Sequence, residues 1–209
     1  PHLLDQFRYD STAVVGLTMY TIIFDTCEAL GKELCRESNM VPSEYLKNNI
    51  TVFDAFAGAG GSTLAFGSKV FKTVGTECDP SRAKMLRHNV SISGMLNILT
   101  YEDRYQVIQR DVLHDVIFFD PPWGPDYKRH ETGTFLIRVE GPNGECSLET
   151  AVAKSRKYAK FCIVKLPVNY NIYRFIQSIV ANKGFVVWSK QYDPPYSSIM
   201  VIVRFGSDG

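Results

Sequence analysis

The chain has 209 residues, the size of one large domain or of one domain with an extension. Hydrophobic residues make up 45% of it and charged residues 22%, a composition that excludes disordered and collagen-like chains. The formal net charge of +1 neither requires nor excludes nucleic acid as a partner, because a pocket that reads one nucleotide does not need a strongly basic chain.

The first 49 residues are predicted to form an N-terminal helical extension. Apolar residues recur on one broad face from Ala13 to about Glu37, which predicts a helix. The sequence SNMVPS then breaks the pattern, and Ser43 is the expected N-cap of a following helix. The start of the chain lacks the basic and apolar regions of a signal peptide.

Residues 50–209 are predicted to form one α/β domain. Seven β-rich runs are the predicted strands: 50–56, 70–76, 105–109, 116–119, 161–166, 185–191 and 198–205. Predicted helices separate most of them: 61–66, 80–91, 148–156 and 170–181. This alternation predicts a mostly parallel sheet with helices on both faces. The last two strands are too close for a crossover, so they should form an antiparallel hairpin. The long loop expected at residues 124–146 lies where open α/β sheets bind ligands.

A glycine-rich turn follows the first predicted strand, in the sequence DAFAGAGG at residues 54–61. Glycines let the backbone turn sharply and approach a ligand closely, and the following helix offers unpaired N–H groups. The turn lacks both the lysine of a phosphate-binding loop and the G-x-G-x-x-G spacing, which disfavours a dehydrogenase. The carboxylate of Asp54 suits a cationic amino-acid group better than a diphosphate. A plain strand-to-helix turn is the alternative interpretation.

Acidic residues follow the next two predicted strands. Glu77 is placed to accept hydrogen bonds from both hydroxyls of a ribose. Asp79 is the expected N-cap of the helix that Pro80 opens. Asp111 could accept a hydrogen bond from an adenine amino group, although a solvated loop acid explains it equally well.

The most specific motif is FFDPPWGPDY at residues 118–127, where a buried strand ends. Prolines stiffen the turn and leave their carbonyl oxygens available as acceptors. Asp120 beside the Pro121 carbonyl can therefore hold both hydrogens of an exocyclic amine. Trp123 can stack on a base, more strongly on a cationic one. A proline turn with a core tryptophan is the alternative interpretation.

The order of these motifs resembles the class I S-adenosylmethionine-dependent methyltransferases that act on exocyclic amines. Within them it is most similar to the trimethylguanosine synthase family, the RNA cap guanine-N2 methyltransferases. The family's Pro-Pro-Trp-Gly-Gly-Pro-Asp-Tyr stretch is matched by residues 121–127 with one glycine fewer, and its Leu-Pro-x-Asn stretch by residues 166–169. A short match also falls at residues 7–10, and the resemblance covers roughly residues 50–205. Asp120 stands where the family often has serine, which fits a divergent protozoan or viral member.

The resemblance implies a Rossmann-like class I methyltransferase fold, a seven-stranded mostly parallel sheet with a C-terminal antiparallel hairpin. It implies S-adenosylmethionine as the methyl donor and S-adenosylhomocysteine as the product. The implied donor-binding residues are Asp54, Phe56, Gly58, Gly60, Glu77, Asp111 and Asp120. The implied catalytic residues, which would orient N2 of a 7-methylguanosine cap, are Asp120, Pro121 and Trp123. The implied substrate-binding residues are Trp123, Pro125, Asp126, Tyr127, Lys165 and Asn169, with Lys128 and Arg129 as further candidates for the cap triphosphate.

Two alternatives use the same motifs. The first is another exocyclic-amine methyltransferase, acting on adenine N6 or on guanine N2 of ribosomal or transfer RNA. The second is an inactive cap- or RNA-binding module.

For the partners, we expect capped RNA or a cap nucleotide, and we expect the protein to be a monomer. We expect no membrane association, because no apolar run approaches ~18 residues. Five cysteines without paired spacing predict reduced thiols in a nuclear or cytoplasmic compartment, and no metal site.

Overall fold

The computed structural model describes residues 6–9, 19–109, 111, 114–124, 127–129, 133, 135–141, 144–194 and 197–206. The chain divides into two compact units, Pro1–Val116 and Ile117–Gly209. The predicted boundary between residues 49 and 50 stays a prediction. In the described ranges, no helix combines the length and the apolar character that crossing a membrane would take.

Seven strands form the main sheet, in the order β3-β2-β1-β4-β7-β9-β8. They are β1 Thr51–Asp54, β2 Lys72–Thr76, β3 Ile98–Tyr101, β4 Val116–Phe119, β7 Phe161–Pro167, β8 Gly184–Tyr192 and β9 Ser198–Phe205. Strands β5 (Arg138–Gly141) and β6 (Gly144–Ser147) pair separately as an antiparallel hairpin. The predicted seven-stranded, mostly parallel Rossmann-like sheet with a terminal antiparallel hairpin is confirmed.

The first unit contains the parallel strands β1, β2 and β3. Its helices are α1 Met19–Leu34, α2 Pro42–Asn49, α3 Gly61–Gly67, α4 Pro80–Ser93 and α5 Tyr105–Ile108. The interior positions of β1 and β2 are fully buried, as expected for parallel strands covered by helices. Helix α1 packs against α2 and α3. The ends of β1 and β2 therefore form a rigid base for the glycine-rich turn.

The second unit begins within the buried strand β4 and contains the antiparallel pairs of β9 with β7 and β8. Its helices are α6 Leu148–Ser155 and α7 Ile172–Ala181, which pack on each other. Ser147 and Asn171 cap them, and each side chain accepts a hydrogen bond from a backbone N–H in the first turn. Both helices lie close in sequence to β7, the strand that carries Lys165.

The predicted third strand at residues 105–109 is wrong. Residues Tyr105–Ile108 form the single helical turn α5, and the third strand is β3, at Ile98–Tyr101. Both segments are short and rich in β-branched and aromatic residues, so composition does not separate them. Pairing decides, because Thr73–Thr76 of β2 align in register with Ile98–Tyr101.

Three further local predictions need correction. The N-cap of α2 is Val41 rather than Ser43, because Pro42 takes the first helical position, which its fixed φ favours. The expected loop at residues 124–146 contains the β5–β6 hairpin and a 3-10 turn at Tyr127–Arg129. Helix α1 begins at Met19 and ends at Leu34, and the predicted residues 13–18 lie outside the described part of the chain.

Candidate active site

A buried carboxylate ends β1 in the first unit. The side chain of Asp54 is completely buried, its Oδ2 accepts a 2.7 Å hydrogen bond from the Thr63 hydroxyl, and its Oδ1 accepts the Phe56 N–H at 3.4 Å. Thr63 lies near the start of α3. The helix that follows the glycine-rich turn therefore holds the Asp54 carboxylate that precedes it. The motif itself does not reveal Thr63, although a hydroxyl so soon after paired glycines is a usable signal.

The glycine-rich turn has left-handed backbone at Gly58 (φ 54°) and Gly60 (φ 100°), a region that other residues rarely adopt. At Gly60 a Cβ would also stand 2.8 Å from Leu86 Cδ1 of α4. At Gly58 a Cβ would meet no atom within 4 Å among the described residues. The space beside Gly58 is therefore open among the described residues, whereas Gly60 is favoured by its left-handed backbone and by the close approach of the Leu86 side chain.

Glu77 lies just beyond β2 and is held by the backbone. Its Oε2 accepts the Gly58 N–H and its Oε1 accepts the Asp79 N–H, each at 2.9 Å. A carboxylate has about four lone-pair positions, so both oxygens can still accept further hydrogen bonds. The half-buried carboxylate is thus oriented beside the glycine-rich turn, as the predicted role on a ribose requires.

These groups fit S-adenosylmethionine. The donor carries an ammonium group and two ribose hydroxyls, which carboxylates accept well. Asp54 and Glu77 supply two carboxylates on the ends of neighbouring parallel strands, with the open backbone of Gly58 next to Glu77. Among the described residues, no cluster of three or more histidine, cysteine or acidic side chains could hold a metal ion.

Three other predicted residues belong to the same unit. Asp79 is confirmed as the N-cap of α4, and the backbone hydrogen bond from Arg82 is the main cause that lowers the pKa of its carboxyl. Phe56 packs on Tyr105 at a ring-centre distance of 5.2 Å. Asp111 is exposed and follows helix α5, not a strand, so its role on adenine stays a prediction.

Asn89 is a residue that the sequence motifs do not single out. Its Oδ1 accepts the Arg8 N–H at 2.8 Å, and its Nδ2 donates to the carbonyl oxygens of Arg8 and Ala59 at 2.7 and 2.8 Å. The side chain thus ties the N-terminal residues 6–9 to the glycine-rich turn. The sequence does contain one indication of this role. Asn89 follows Ala83 and Leu86 at intervals of three residues, so it is a polar residue on the buried face of α4.

A second cluster lies in the second unit, at the end of β4. Asp120 Oδ2 accepts a 3.0 Å charged hydrogen bond from Lys165 Nζ on β7. The side chains retain only 21% and 8% of their accessible surface, respectively. Partial burial strengthens such a pair and makes either charge costly to leave alone. The sequence assigns these residues separate roles, whereas the fold pairs them.

The Lys165 ammonium also lies over the face of the Trp123 ring. Lys165 Nζ lies 5.3 Å from the centre of that ring, and the Tyr127 ring meets it edge-on at 5.1 Å. The indole Nε1 of Trp123 is buried and has no hydrogen-bond partner in the described part of the chain. Buried indole N–H groups normally have a partner, so this donor is suited to a ligand acceptor.

The aromatic contacts continue into the body of the unit. Phe135 lies 6.4 Å from Tyr127 and 6.3 Å from Tyr170, and Asn169 Nδ2 donates to the Tyr127 carbonyl at 2.7 Å. The Tyr170 hydroxyl donates to the buried Glu149 at 2.9 Å, and burial followed by this carboxylate raises the tyrosine pKa far above its usual value. Contacts with Phe135 and Asn169 therefore hold Tyr127 in place, and Tyr127 in turn packs on Trp123.

The remaining predicted substrate residues fall in different places. Pro121 is buried directly after Asp120, and Lys128 and Arg129 are exposed in the 3-10 turn. Pro125 and Asp126 lie outside the described residues. The structure thus brings together Asp120, Pro121, Trp123, Tyr127, Lys165 and Asn169, and their roles toward a ligand stay predictions.

Comparison with protein families identifies the chain. Residues 49–193, which include both clusters, match the family described as RNA cap guanine-N2 methyltransferase. The chain belongs to this family. Its fold is that of the class I S-adenosylmethionine-dependent methyltransferases, and family and fold together imply S-adenosylmethionine as the cofactor.

Individual relatives agree at lower coverage. The uncharacterized protein L320 of Acanthamoeba polyphaga mimivirus is 27% identical over 78% of this chain and 62% of its own length. Trimethylguanosine synthase of Schizosaccharomyces pombe is 34% identical over 36% of this chain and 35% of its own length. The chain thus spans less than two thirds of either relative. Among solved structures, the ribosomal protein L11 methylase of Lactobacillus delbrueckii subsp. bulgaricus matches 87% of this chain and 78% of its own, with a TM-score of 0.55 and 12% identity.

Cys78 offers a direct test of the donor cluster of this cap methyltransferase family member. It is exposed and follows Glu77, so a nucleoside bound at Glu77 should cover it. We expect S-adenosylhomocysteine at about ten times its Kd to slow alkylation of Cys78 by about 10-fold, because only the unliganded protein reacts. Cys146 in the second unit is the internal control, and mass spectrometry of peptides reads both. Burial raises the pKa of Cys27 and Cys162 to about 12, so neither should react. Equal slowing at Cys146, or none at Cys78, would contradict this position for the ribose.

Proposed function

We propose that the chain transfers a methyl group from S-adenosylmethionine to the exocyclic N2 of a 7-methylguanosine RNA cap. Family membership supports the reaction class, and the similarity to a trimethylguanosine synthase supports the acceptor. The single observation that carries the proposal is the Asp120-Pro121-Trp123 arrangement, in which an oriented carboxylate lies beside an aromatic ring with an unsatisfied N–H donor.

The first unit would hold the donor. Asp54 would lie near the ammonium group as a buried negative charge, the open space at Gly58 would lie against the ligand, and Glu77 would accept the ribose hydroxyls. When bound, S-adenosylmethionine supplies an electrophilic methyl group, whose bond to sulfur breaks as its bond to N2 forms. These three groups would fix the direction from which the methyl group is presented, the main source of rate in a transfer of this kind.

The second unit would hold the acceptor. N2 of guanine is a poor nucleophile because its lone pair is delocalised into the ring. Asp120 and the Pro121 carbonyl would accept hydrogen bonds from its two hydrogens and favour a more pyramidal nitrogen, and after attack N2 would release one proton to solvent water. Lys165 would hold the Asp120 carboxylate in a fixed orientation across their 3.0 Å contact.

Trp123 would select the cap. Methylation at N7 gives guanine a positive charge, which strengthens stacking on an indole ring. The Lys165 ammonium lies 5.3 Å from the centre of that ring, but its charge is balanced by Asp120. The cationic 7-methylguanine would therefore not meet a second unbalanced positive charge there. The buried Nε1 donor would serve an oxygen of the cap.

The test is transfer of a labelled methyl group to three acceptors in parallel. These are a 7-methylguanosine cap dinucleotide, the same dinucleotide without the N7 methyl group, and an adenine-containing RNA without a cap. We expect transfer to the first only. Transfer to the uncapped RNA instead would support the alternative, an adenine N6 or ribosomal or transfer RNA guanine N2 methyltransferase that shares the Asp-Pro-Pro-aromatic logic. No transfer with intact donor binding would contradict the proposed acceptor.

A further inference from the structure

The second half of the chain contains a long segment without negative charge. Residues 150–192 hold no aspartate or glutamate, although the whole chain carries 22 of them against 23 lysines and arginines. The segment carries eight basic residues: Lys154, Arg156, Lys157, Lys160, Lys165, Arg174, Lys183 and Lys190. Two of these charges face carboxylates outside the segment, Lys165 at Asp120 and Arg174 at Glu149, but the segment itself carries positive charge alone, which attracts polyanions.

Strand β8 displays part of this charge on one face. It is the last strand in the sheet order, and its partner β9 aligns Phe185 with Arg204 and Lys190 with Met200. Residues directly opposite on antiparallel strands point to the same face. Trp188, aligned with Ile202 after a bulge, falls on this face as well.

Helix α7 covers the opposite face of the strand. A Cβ on Gly184 would stand 2.6 Å from Ile179 of that helix, so Gly184 faces α7 and Phe185 faces away from it. The Phe185 side chain is 53% exposed, Arg204 and Lys190 are exposed, and Trp188 is half-buried. We call Phe185, Trp188, Lys190 and Arg204 the β8 stripe.

The β8 stripe lies on the same face as a residue of the acceptor cluster. Lys165 of β7 aligns with Met200 of β9, which aligns with Lys190 of β8, so the three side chains form one row across the strands. At about 4.8 Å per strand spacing, the row spans about 10 Å. From Lys190 the stripe extends about 15 Å along β8 to Phe185, away from the row of residues that contains Lys165. Met200 in the middle of the row is fully buried, so a chain leaving the acceptor cluster would reach the stripe at its exposed Lys190 end, about 10 Å from Lys165, and not along the row itself.

We propose that the β8 stripe binds the single-stranded RNA that follows the cap. Aromatic rings alternating with cations suit this ligand, because bases stack on the rings and phosphates pair with the cations. Lys190 Nζ lies 4.9 Å from the centre of the Tyr192 ring, which holds the cation at the strand. The identity of the RNA as a capped transcript rests on the proposed function, whereas the binding surface itself does not depend on methyl transfer.

The experiment compares the whole protein with the double variant Phe185→Ala, Arg204→Gln. Fluorescence anisotropy measures the Kd for an uncapped ten-nucleotide RNA, and kinetics measure KM for a capped ten-nucleotide RNA and for the cap dinucleotide. The control variant Phe71→Ala, Arg36→Gln removes a phenylalanine of matched exposure, 54%, and a surface arginine with 70% of its side chain exposed. Lys190→Gln is a milder second variant of the stripe.

We expect the stripe variant to raise the Kd for uncapped RNA, and KM for the capped RNA, about 10-fold, since one stacked base contributes ~1–3 kcal/mol. KM for the cap dinucleotide should stay unchanged, and the control variant should match the wild type. The salt slope of binding should fall by about 0.7 for the lost arginine. Unchanged RNA affinity in both stripe variants would overturn the proposal, as would a dimer in sedimentation that only the stripe variants abolish. Stripe-dependent RNA binding without methyl transfer to any cap would uphold this inference and refute the proposed function.

Discussion

Asp120→Ala is expected to lower kcat for cap methylation at least about 100-fold, because a misplaced acceptor costs rate of this order. The carboxylate ends the buried strand β4 and is fixed by the 3.0 Å contact with Lys165. Its removal would take away the proposed acceptor for the N2 hydrogens. Calorimetry with S-adenosylhomocysteine measures donor binding separately, because the resemblance also places Asp120 among the donor-binding residues; a change in Kd of less than about 2-fold would assign the loss of rate to the acceptor side.

Three further variants separate orientation from charge and from stability. Asp120→Asn keeps an oxygen acceptor and should lose less activity than Asp120→Ala. Lys165→Met leaves the carboxylate unpaired and should cost about 2–3 kcal/mol of unfolding free energy, below the ~3–5 of a fully buried pair because Asp120 is 21% exposed. Glu102→Gln breaks the exposed pair with Arg87 and should cost less than about 1 kcal/mol. Full activity of a folded Asp120→Ala variant would contradict the acceptor role.

Trp123→Ala is expected to raise KM for the cap dinucleotide about 10- to 100-fold with a smaller effect on kcat, because stacking on one base contributes ~1–3 kcal/mol. The ring is presented by Tyr127, which meets it edge-on at 5.1 Å and is itself supported by Phe135. Its loss removes both the stacking surface and the buried Nε1 donor. Steady-state kinetics on the cap dinucleotide measure the change.

The matched control for this second prediction is Trp123→Phe, which keeps an aromatic face but removes the N–H donor. It should recover part of the affinity, and the remaining deficit measures the contribution of Nε1. The wild type should prefer the N7-methylated cap over the unmethylated one, and Trp123→Ala should reduce that preference, because cation–π attraction is lost. If the alanine variant still preferred the methylated cap as strongly as the wild type, Trp123 would not be the residue that recognises the N7-methylated base.

The sequence predicts the parts of the site that lie at strand ends. Asp54 lies near the end of a predicted strand, and Glu77 and Asp120 directly follow one. The structure places all three at or just beyond the ends of β1, β2 and β4. The terminal hairpin is also predictable, because a short connection forbids a parallel crossover. These features depend on local patterns and on chain length.

The features that the sequence does not predict depend on contacts between distant residues. Lys165 and Asp120 are 45 positions apart, and only the fold shows that they pair. Asn89 reaches Arg8 across 81 positions, a contact that no local pattern encodes. The third strand is misplaced for the same reason, since pairing with β2 and not composition selects Ile98–Tyr101. Site geometry in such a fold therefore requires the structure.

The most direct test of the central claim identifies the atom that receives the methyl group. A capped RNA is incubated with the protein and S-adenosylmethionine, digested to nucleosides, and analysed by tandem mass spectrometry against synthetic standards. We predict 7-methylguanosine carrying one or two additional methyl groups on N2 of the base. A methyl group on a ribose hydroxyl, on adenine N6, or on an internal guanine would contradict the proposed acceptor.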